Sequence, residues 1–115
     1  MKVGIIGAGR IGKVHAKNIS MFVPEVQIKT VADPFMNGET EGYLKKLGVA
    51  EVAKDAEDIL NDPEIEAVLI CSSTDTHSKY IIEAAKAGKH ISVRNLWIMI
   101  WIRFMKRLKQ QKMPM

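Results

Sequence analysis

The sequence predicts an α/β fold in which a doubly wound parallel sheet of about five strands carries helices on both faces. Short β-branched apolar segments alternate with segments of helical periodicity over residues 1–91. AVLIC (67–71) is apolar without interruption, which is typical of a parallel strand buried on both faces. Strands that alternate with helices in this way favour right-handed crossover connections, and therefore a parallel sheet.

Each element follows from its local pattern. KVGIIG (2–7) predicts the first strand, and VQIKTVAD (26–33) predicts the second. Between them, a helix that ends before Pro24 has apolar residues at helical spacing, namely Ile11, Val14, Ile19 and Phe22. The other predicted elements are a helix over 39–47, a strand over 49–52, a helix over 55–60, the strand 67–71, a helix capped by Asp75 or Thr76 that runs to Ala87, and a strand over 90–93.

Length and composition favour one cytoplasmic domain. The 115 residues suffice for one modest core. The chain has a single cysteine, Cys71, so we expect no internal disulfide and a reducing compartment. We recognise no signal peptide, and the longest apolar run, 96–102, is far shorter than the roughly 20 residues of a membrane span. The three histidines share no metal-ligand spacing, so no metal site is predicted.

The net charge of +4 belongs to the last part of the chain. Residues 1–91 contain 11 Lys and Arg against 13 Asp and Glu, whereas residues 92–115 contain 6 Lys and Arg and no acid. The predicted folded body is therefore slightly acidic, and we do not expect it to bind nucleic acid.

The first turn carries a glycine motif. GAGRIG places Gly7, Gly9 and Gly12 after a strand and at the start of a helix, the context in which this spacing indicates a dinucleotide site. Gly7 permits the tight turn, Gly9 lets a pyrophosphate approach the backbone, and Gly12 lets the helix pack closely. Asp33 follows Gly12 by 21 residues, at the end of the second strand, where an acid binds the adenosine ribose. The sequence thus predicts a Rossmann-type domain.

The same acid indicates which dinucleotide binds. Asp33 would repel a 2′-phosphate, and no arginine follows it in the next segment, so NAD is favoured over NADP. The alternative is a glycine turn of another α/β protein, in which Asp33 serves as a cap or turn residue. The loop after the fourth strand, CSSTDTH (71–77), offers hydroxyls from Ser72, Ser73 and Thr74 to the cofactor; these residues could equally be the turn and cap of the next helix.

Together these segments resemble a known family. GIIGAGRIGKVHA, VADP and DPEIEAVLICSSTDTHSKYIIEAAKAGKHI are similar to the N-terminal half of the glucose–fructose oxidoreductase / inositol 2-dehydrogenase family, up to about Ile91. The resemblance implies hydride transfer between a sugar or cyclitol hydroxyl and a nicotinamide cofactor, and a second domain that holds most of the substrate site and builds the oligomer. It also implies cofactor contacts from Arg10, Ile11 and His77, besides the residues named above.

The chain departs from that family after Ile91. The family continues with Glu-Lys-Pro, whose lysine assists proton transfer, whereas this chain continues SVRN and contains no Glu-Lys-Pro. We also expect these 115 residues to lack the second domain, so the predicted sheet is incomplete and no catalytic residue is assigned. We expect residues 1–91 to be the NAD(P)-binding domain, inactive alone.

Residues 92–115 are interpreted as an out-of-frame segment. If one base is lost after the codon of Ile91, WIMIWI (97–102) must encode three aspartates in the original frame, because Trp and Met each have one codon. The residues before it can encode Glu-Lys-Pro. Two alternatives stay open: a stand-alone dinucleotide-binding module, and a membrane- or partner-binding protein whose basic tail presents an apolar helix face. That face consists of Trp97, Trp101, Phe104, Met105 and Leu108.

Overall fold

The computed structural model describes residues 2–22, 26–72 and 74–93. Its elements alternate between strand and helix along these residues. They are β1 Lys2–Ile6, α1 Arg10–Phe22, β2 Gln27–Ala32, α2 Gly38–Lys46, β3 Glu51–Ala53, α3 Glu57–Leu60, β4 Ala67–Ile70, α4 Thr74–Lys86 and β5 His90–Val93.

The five strands form one parallel sheet in the order β3-β2-β1-β4-β5. The chain therefore runs outward from β1 in one direction through β2 and β3, then returns to continue on the other side with β4 and β5. This reversal defines the switch point of a doubly wound sheet, where ligands bind at the carboxyl ends of the strands. The predicted fold class is confirmed.

Two apolar clusters cover the sheet. One combines α1 and α2 with residues of β1, β2 and β4, and includes Ile19 and Leu44, both fully buried. The other combines α3 and α4 with the opposite side of the sheet, and includes Ile59 and Ala84. Because every residue of β4 is buried, the uninterrupted apolar pattern of this strand is explained.

Several predicted boundaries were wrong. The third strand begins at residue 51 rather than 49, because Val49 still donates its N–H to the Leu44 carbonyl and so closes α2. The short helix begins after Asp55, whose carboxylate accepts the Glu57 N–H at 2.9 Å. Helix α4 begins at Thr74, so Asp75 and Thr76 lie inside its first turn instead of capping it.

Helix α1 contains a further correction. Val14 is 50% exposed, although its spacing suggested a place on the apolar face. The buried face of α1 runs through Gly12, His15, Ala16 and Ile19, and Val14 points away from it. His15 is buried on this face of α1, and Cys71 is buried at the end of β4.

Candidate functional site

A cleft of about 290 Å³ opens at the carboxyl ends of β1, β2 and β4. Its walls come from the glycine loop between β1 and α1, from the turn after β2, from the end of β4 and from α4. The lining residues are Ile6, Gly7, Gly9, Asp33, Pro34, Phe35, Cys71, Ser72 and Tyr80. The cleft therefore lies at the switch point of the sheet, next to the N-terminus of α1.

The glycine loop packs too tightly for side chains at two positions. Gly7 has a φ of 109°, and a Cβ there would lie 2.7 Å from the Ser72 nitrogen. A Cβ on Gly12 would lie 2.1 Å from the Gly7 carbonyl oxygen, so α1 could not approach the loop. Both glycines serve the protein's own packing.

Gly9 is different, because no protein atom among the residues described lies within 4 Å of a Cβ built on it. The residue is exposed and lines the cleft. Nothing in the surrounding fold requires glycine here, whereas a group bound close to the backbone would. The first amides of α1 lie beside Gly9, and the positive end of the helix dipole favours an anion at this place.

Asp33 joins two loops of the cleft. Its Oδ2 accepts a hydrogen bond from the Ala8 N–H, and its Oδ1 accepts one from the Phe35 N–H, both at 2.7 Å. The side chain is half-buried and lines the cleft. An ionised carboxylate has about four lone-pair directions, so each oxygen can still accept a hydroxyl of a bound sugar.

The predicted site residues divide into three groups. Gly7, Gly9, Asp33 and Ser72 line the cleft together. Gly12 lies beneath the loop, while the Arg10 side chain lines a separate groove between α1 and α2 with Lys13, Lys17 and Tyr43. The backbone of Ile11 belongs to α1, and the backbones of Thr74 and His77 belong to the first turn of α4. Ser73 lies outside the described residues.

Sequence reasoning missed the apolar walls. Pro34, Phe35 and Tyr80 line the cleft but were not predicted. Pro34 and Phe35 directly follow the acid, which was a usable signal. Tyr80 carries no such signal, because only the packing of α4 against the sheet brings it to the cleft.

Metal-ligating clusters and membrane-spanning helices are both absent from the described part of the chain. No group of three or more His, Cys, Asp or Glu residues is arranged to hold a metal ion there. No helix there has the length and apolar character needed to cross a membrane.

Comparison with known proteins identifies the family. A family model described as an oxidoreductase family with an NAD-binding Rossmann fold matches residues 1–93. The chain is 41% identical over 91 residues to a myo-inositol 2-dehydrogenase of Thermotoga maritima, covering 79% of this chain and 27% of that protein. It is 39% identical over 93 residues to a scyllo-inositol 2-dehydrogenase (NAD(+)) of Bacillus subtilis, covering 81% of this chain and 27% of that one.

Solved structures agree. The crystal structure of scyllo-inositol dehydrogenase from Lactobacillus casei, with bound NAD(H) and scyllo-inositol, superposes with a TM-score of 0.73 at 35% identity, covering 81% of this chain and 27% of that one. A levoglucosan dehydrogenase in complex with NADH gives a TM-score of 0.68 at 32% identity, with the same coverage of both chains.

The fold and the cleft define a dinucleotide-binding α/β domain. The chain belongs to the oxidoreductase family with the NAD-binding Rossmann fold, and its similarity lies with the inositol 2-dehydrogenase type. The family resemblance seen in the sequence is confirmed. The chain spans about a quarter (27%) of the length of these relatives.

Proposed function

We propose that this chain binds NAD across the cleft at the carboxyl ends of β1, β2 and β4. The observation that carries the proposal is the Asp33 carboxylate, which is tied to Ala8 of the glycine loop yet keeps lone pairs for a ribose. The pyrophosphate would lie against Gly9 and the first amides of α1, and the adenosine ribose against Asp33. Family membership and two relatives whose structures hold NAD(H) or NADH support the cofactor.

The remaining cofactor contacts belong to the same proposal. Gly7 and Gly12 would shape the loop, and the backbones of Arg10 and Ile11 would lie beside the pyrophosphate. The loop after β4, with Ser72, Ser73, Thr74 and His77, would flank the nicotinamide half. Ser72 lines the cleft, which supports this direction for the cofactor.

For the full-length parent we propose hydride transfer between the carbon of a cyclitol or sugar hydroxyl and nicotinamide. The names of the relatives, myo-inositol and scyllo-inositol 2-dehydrogenase, support the substrate class. This chain has no Glu-Lys-Pro, so we expect it to bind the cofactor without oxidising inositol. A cytoplasmic location and an oligomeric parent complete the proposal.

The proposal is tested by calorimetric titration of the 115-residue chain with NAD and NADP. We expect saturable binding of NAD and weaker binding of NADP, because Asp33 would repel the 2′-phosphate. Addition of myo-inositol should produce no NADH absorbance. Absence of NAD binding by a chain that remains folded would refute the proposed function.

We also propose that residues 92–115 are read out of frame and that residues 1–91 form the domain. The family match stops at residue 93, close to the point where Glu-Lys-Pro would begin. Reading the DNA beyond the codon of Ile91 in all frames tests this interpretation. A long open frame with Glu-Lys-Pro, one base out of register, is expected. Rapid closure of the other frames would instead make the tail a genuine part of the protein.

A further inference from the structure

A second concave surface lies between α1 and α2, which cover the side of the sheet opposite α3 and α4. This α1–α2 groove has a volume of about 690 Å³, and its lining includes Arg10, Lys13, Val14 and Lys17 of α1 and Tyr43 of α2. None of its described lining residues also lines the dinucleotide cleft. The groove is therefore a separate candidate site.

The α1–α2 groove is basic although the folded body is not. Residues 1–91 contain more acids than bases, yet Arg10, Lys13 and Lys17 follow one another at helical spacing along α1. They form a row of cations that is about 10 Å long. The one acid of the described lining is Glu39. The groove thus has a local positive field that attracts an anionic partner, whereas the rest of the body repels it.

The cation row has no ion-pair partner among the described residues. The ion pairs found there have Lys2 and Lys29 as their cations, and they lie at the amino-terminal edge of the sheet. Carboxylates of a partner would therefore pair with the row without displacing an acid of this chain. A single exposed ion pair contributes little, so recognition needs several pairs together with apolar contact.

Apolar side chains are exposed beside the same row. Val14 is 50% exposed, Met21 is 59% exposed and Tyr43 is 37% exposed. Val14 and Met21 are seven residues apart, so they lie two turns apart on one face of α1. Exposed apolar residues that are scattered singly need no partner. Apolar residues that border one basic groove are instead typical of a protein interaction surface.

We propose that the α1–α2 groove docks an amphipathic helix of a partner protein, whose apolar residues contact Val14 and Tyr43 and whose acids pair with the cation row. A helix in a groove makes contact through residues at i, i+3, i+4 and i+7, and these extend over the same two turns as the row. Glu39 disfavours a uniformly anionic ligand such as a phosphate chain. The inference does not depend on the proposed binding of NAD.

The test is fluorescence anisotropy with the full 115-residue chain and a labelled helical peptide of about 15 residues. The peptide has Leu at i, i+3, i+4 and i+7 and Glu at the flanking positions, and a second peptide has Lys in place of every Glu. We expect saturable binding of the Glu peptide and no binding of the Lys peptide at the same concentrations. Raising the salt concentration to about 0.5 M should weaken binding of the Glu peptide at least about 5-fold, because exposed ion pairs are screened.

Two variants test the two kinds of contact. Lys13→Gln/Lys17→Gln should weaken binding of the Glu peptide about 5- to 10-fold, and Val14→Ser should weaken it about 5-fold. Both should bind NAD as the unmodified chain does. Lys79→Gln/Lys86→Gln is the matched control, because both lysines are exposed on α4, on the other side of the sheet. It should bind the Glu peptide with unchanged affinity.

Three results would overturn the inference. Equal affinity of Lys13→Gln/Lys17→Gln and the unmodified chain would assign the Glu peptide to the basic residues 92–115 instead. Inorganic polyphosphate that binds more tightly than the Glu peptide, and equally well to Val14→Ser, would make the groove a site for phosphate chains. A dimer in sedimentation equilibrium that Val14→Ser abolishes would assign the groove to a second copy of this chain.

Discussion

The Asp33 carboxylate accepts the Ala8 N–H at 2.7 Å and thereby ties the end of β2 to the glycine loop. The residue proposed to bind the ribose is thus also a support of the loop proposed to bind the pyrophosphate. Its second oxygen accepts the Phe35 N–H, so one side chain connects the end of β2, the glycine loop and the turn that contains Phe35.

Asp33→Asn should weaken NAD binding roughly 10- to 100-fold. The amide group removes the charge and replaces one acceptor by a donor that would face a backbone N–H, and hydrogen bonds to charged groups contribute about 1.5–3 kcal/mol. Glu41→Gln is the control, because it makes the same change of charge on the exposed surface of α2. Equal NAD affinity in both variants, measured by calorimetry, would contradict the assigned role of Asp33.

Substitution of three glycines by alanine should separate packing from ligand binding. Gly9→Ala should leave the melting temperature unchanged and weaken NAD binding, because its Cβ meets no described protein atom but would stand where the pyrophosphate approaches. Gly12→Ala should lower both the melting temperature and the affinity for NAD, because its Cβ would lie 2.1 Å from the Gly7 oxygen. Gly42→Ala, in open space on α2, should raise stability by about 0.5–1 kcal/mol.

Thermal melts with and without NAD distinguish the three variants. NAD should raise the melting temperature of Gly42→Ala as much as that of the unmodified chain. A Gly9→Ala variant that melts lower without ligand would show that Gly9 serves the fold, which would remove one support of the pyrophosphate position.

The residues that sequence alone identified share a local origin. The spacing of Gly7, Gly9 and Gly12 and the place of Asp33 after β2 follow from one strand–turn–helix unit and the next strand, so a short pattern contains them. Tyr80 reaches the cleft only through the packing of α4 on the sheet, and no local pattern encodes that approach.

The secondary structure likewise divides into features that a local sequence pattern predicts and features that depend on tertiary contacts. Strand and helix types were predicted throughout the described residues, because periodicity follows from which side chains are buried. The start of β3 was missed because hydrogen bonds that close α2 extend to Val49, and these compete with the apolar pattern of VAEV (49–52). The exposure of Val14 was not predicted. The spacing of apolar residues indicates an amphipathic helix, but it does not fix which side of that helix faces the core.

His15 should make the protein less stable in weak acid. Burial lowers the pKa of its imidazole, and its Nδ1 has no hydrogen-bond partner among the residues that the structure describes. The unfolded chain therefore binds more protons than the folded one as pH falls through the usual histidine pKa of about 6.5, and stability declines below that value. His15→Leu, of similar size and without a polar atom, should flatten the dependence of urea midpoint on pH between about 5 and 7. An unchanged slope would show that His15 does not titrate on unfolding.

Lys29 should stabilise the fold at neutral pH through two carboxylates at the amino-terminal edge of the sheet. Its Nζ lies 2.5 Å from Asp62 Oδ2 and 3.0 Å from Glu64 Oε1, so it ties β2 to the loop before β4. The hydrogen bond from Lys29 lowers the pKa of Asp62, and hydrogen bonds from Lys2 and Lys29 lower the pKa of Glu64.

Because both carboxyl pKa values are lowered on folding, the stabilisation is present above their unfolded values of about 4 and is lost as pH falls through the folded values. Lys29→Met should therefore melt below the unmodified chain at pH 7, and the difference should close as the carboxylates become protonated. Lys46→Met removes the same charge from the exposed last turn of α2. Its melting temperature should differ little from that of the unmodified chain, and this difference should depend little on pH. A melting-temperature gap for Lys29→Met that persists below about pH 2 would mean that the lysine stabilises the fold by packing of its aliphatic chain rather than by its charge.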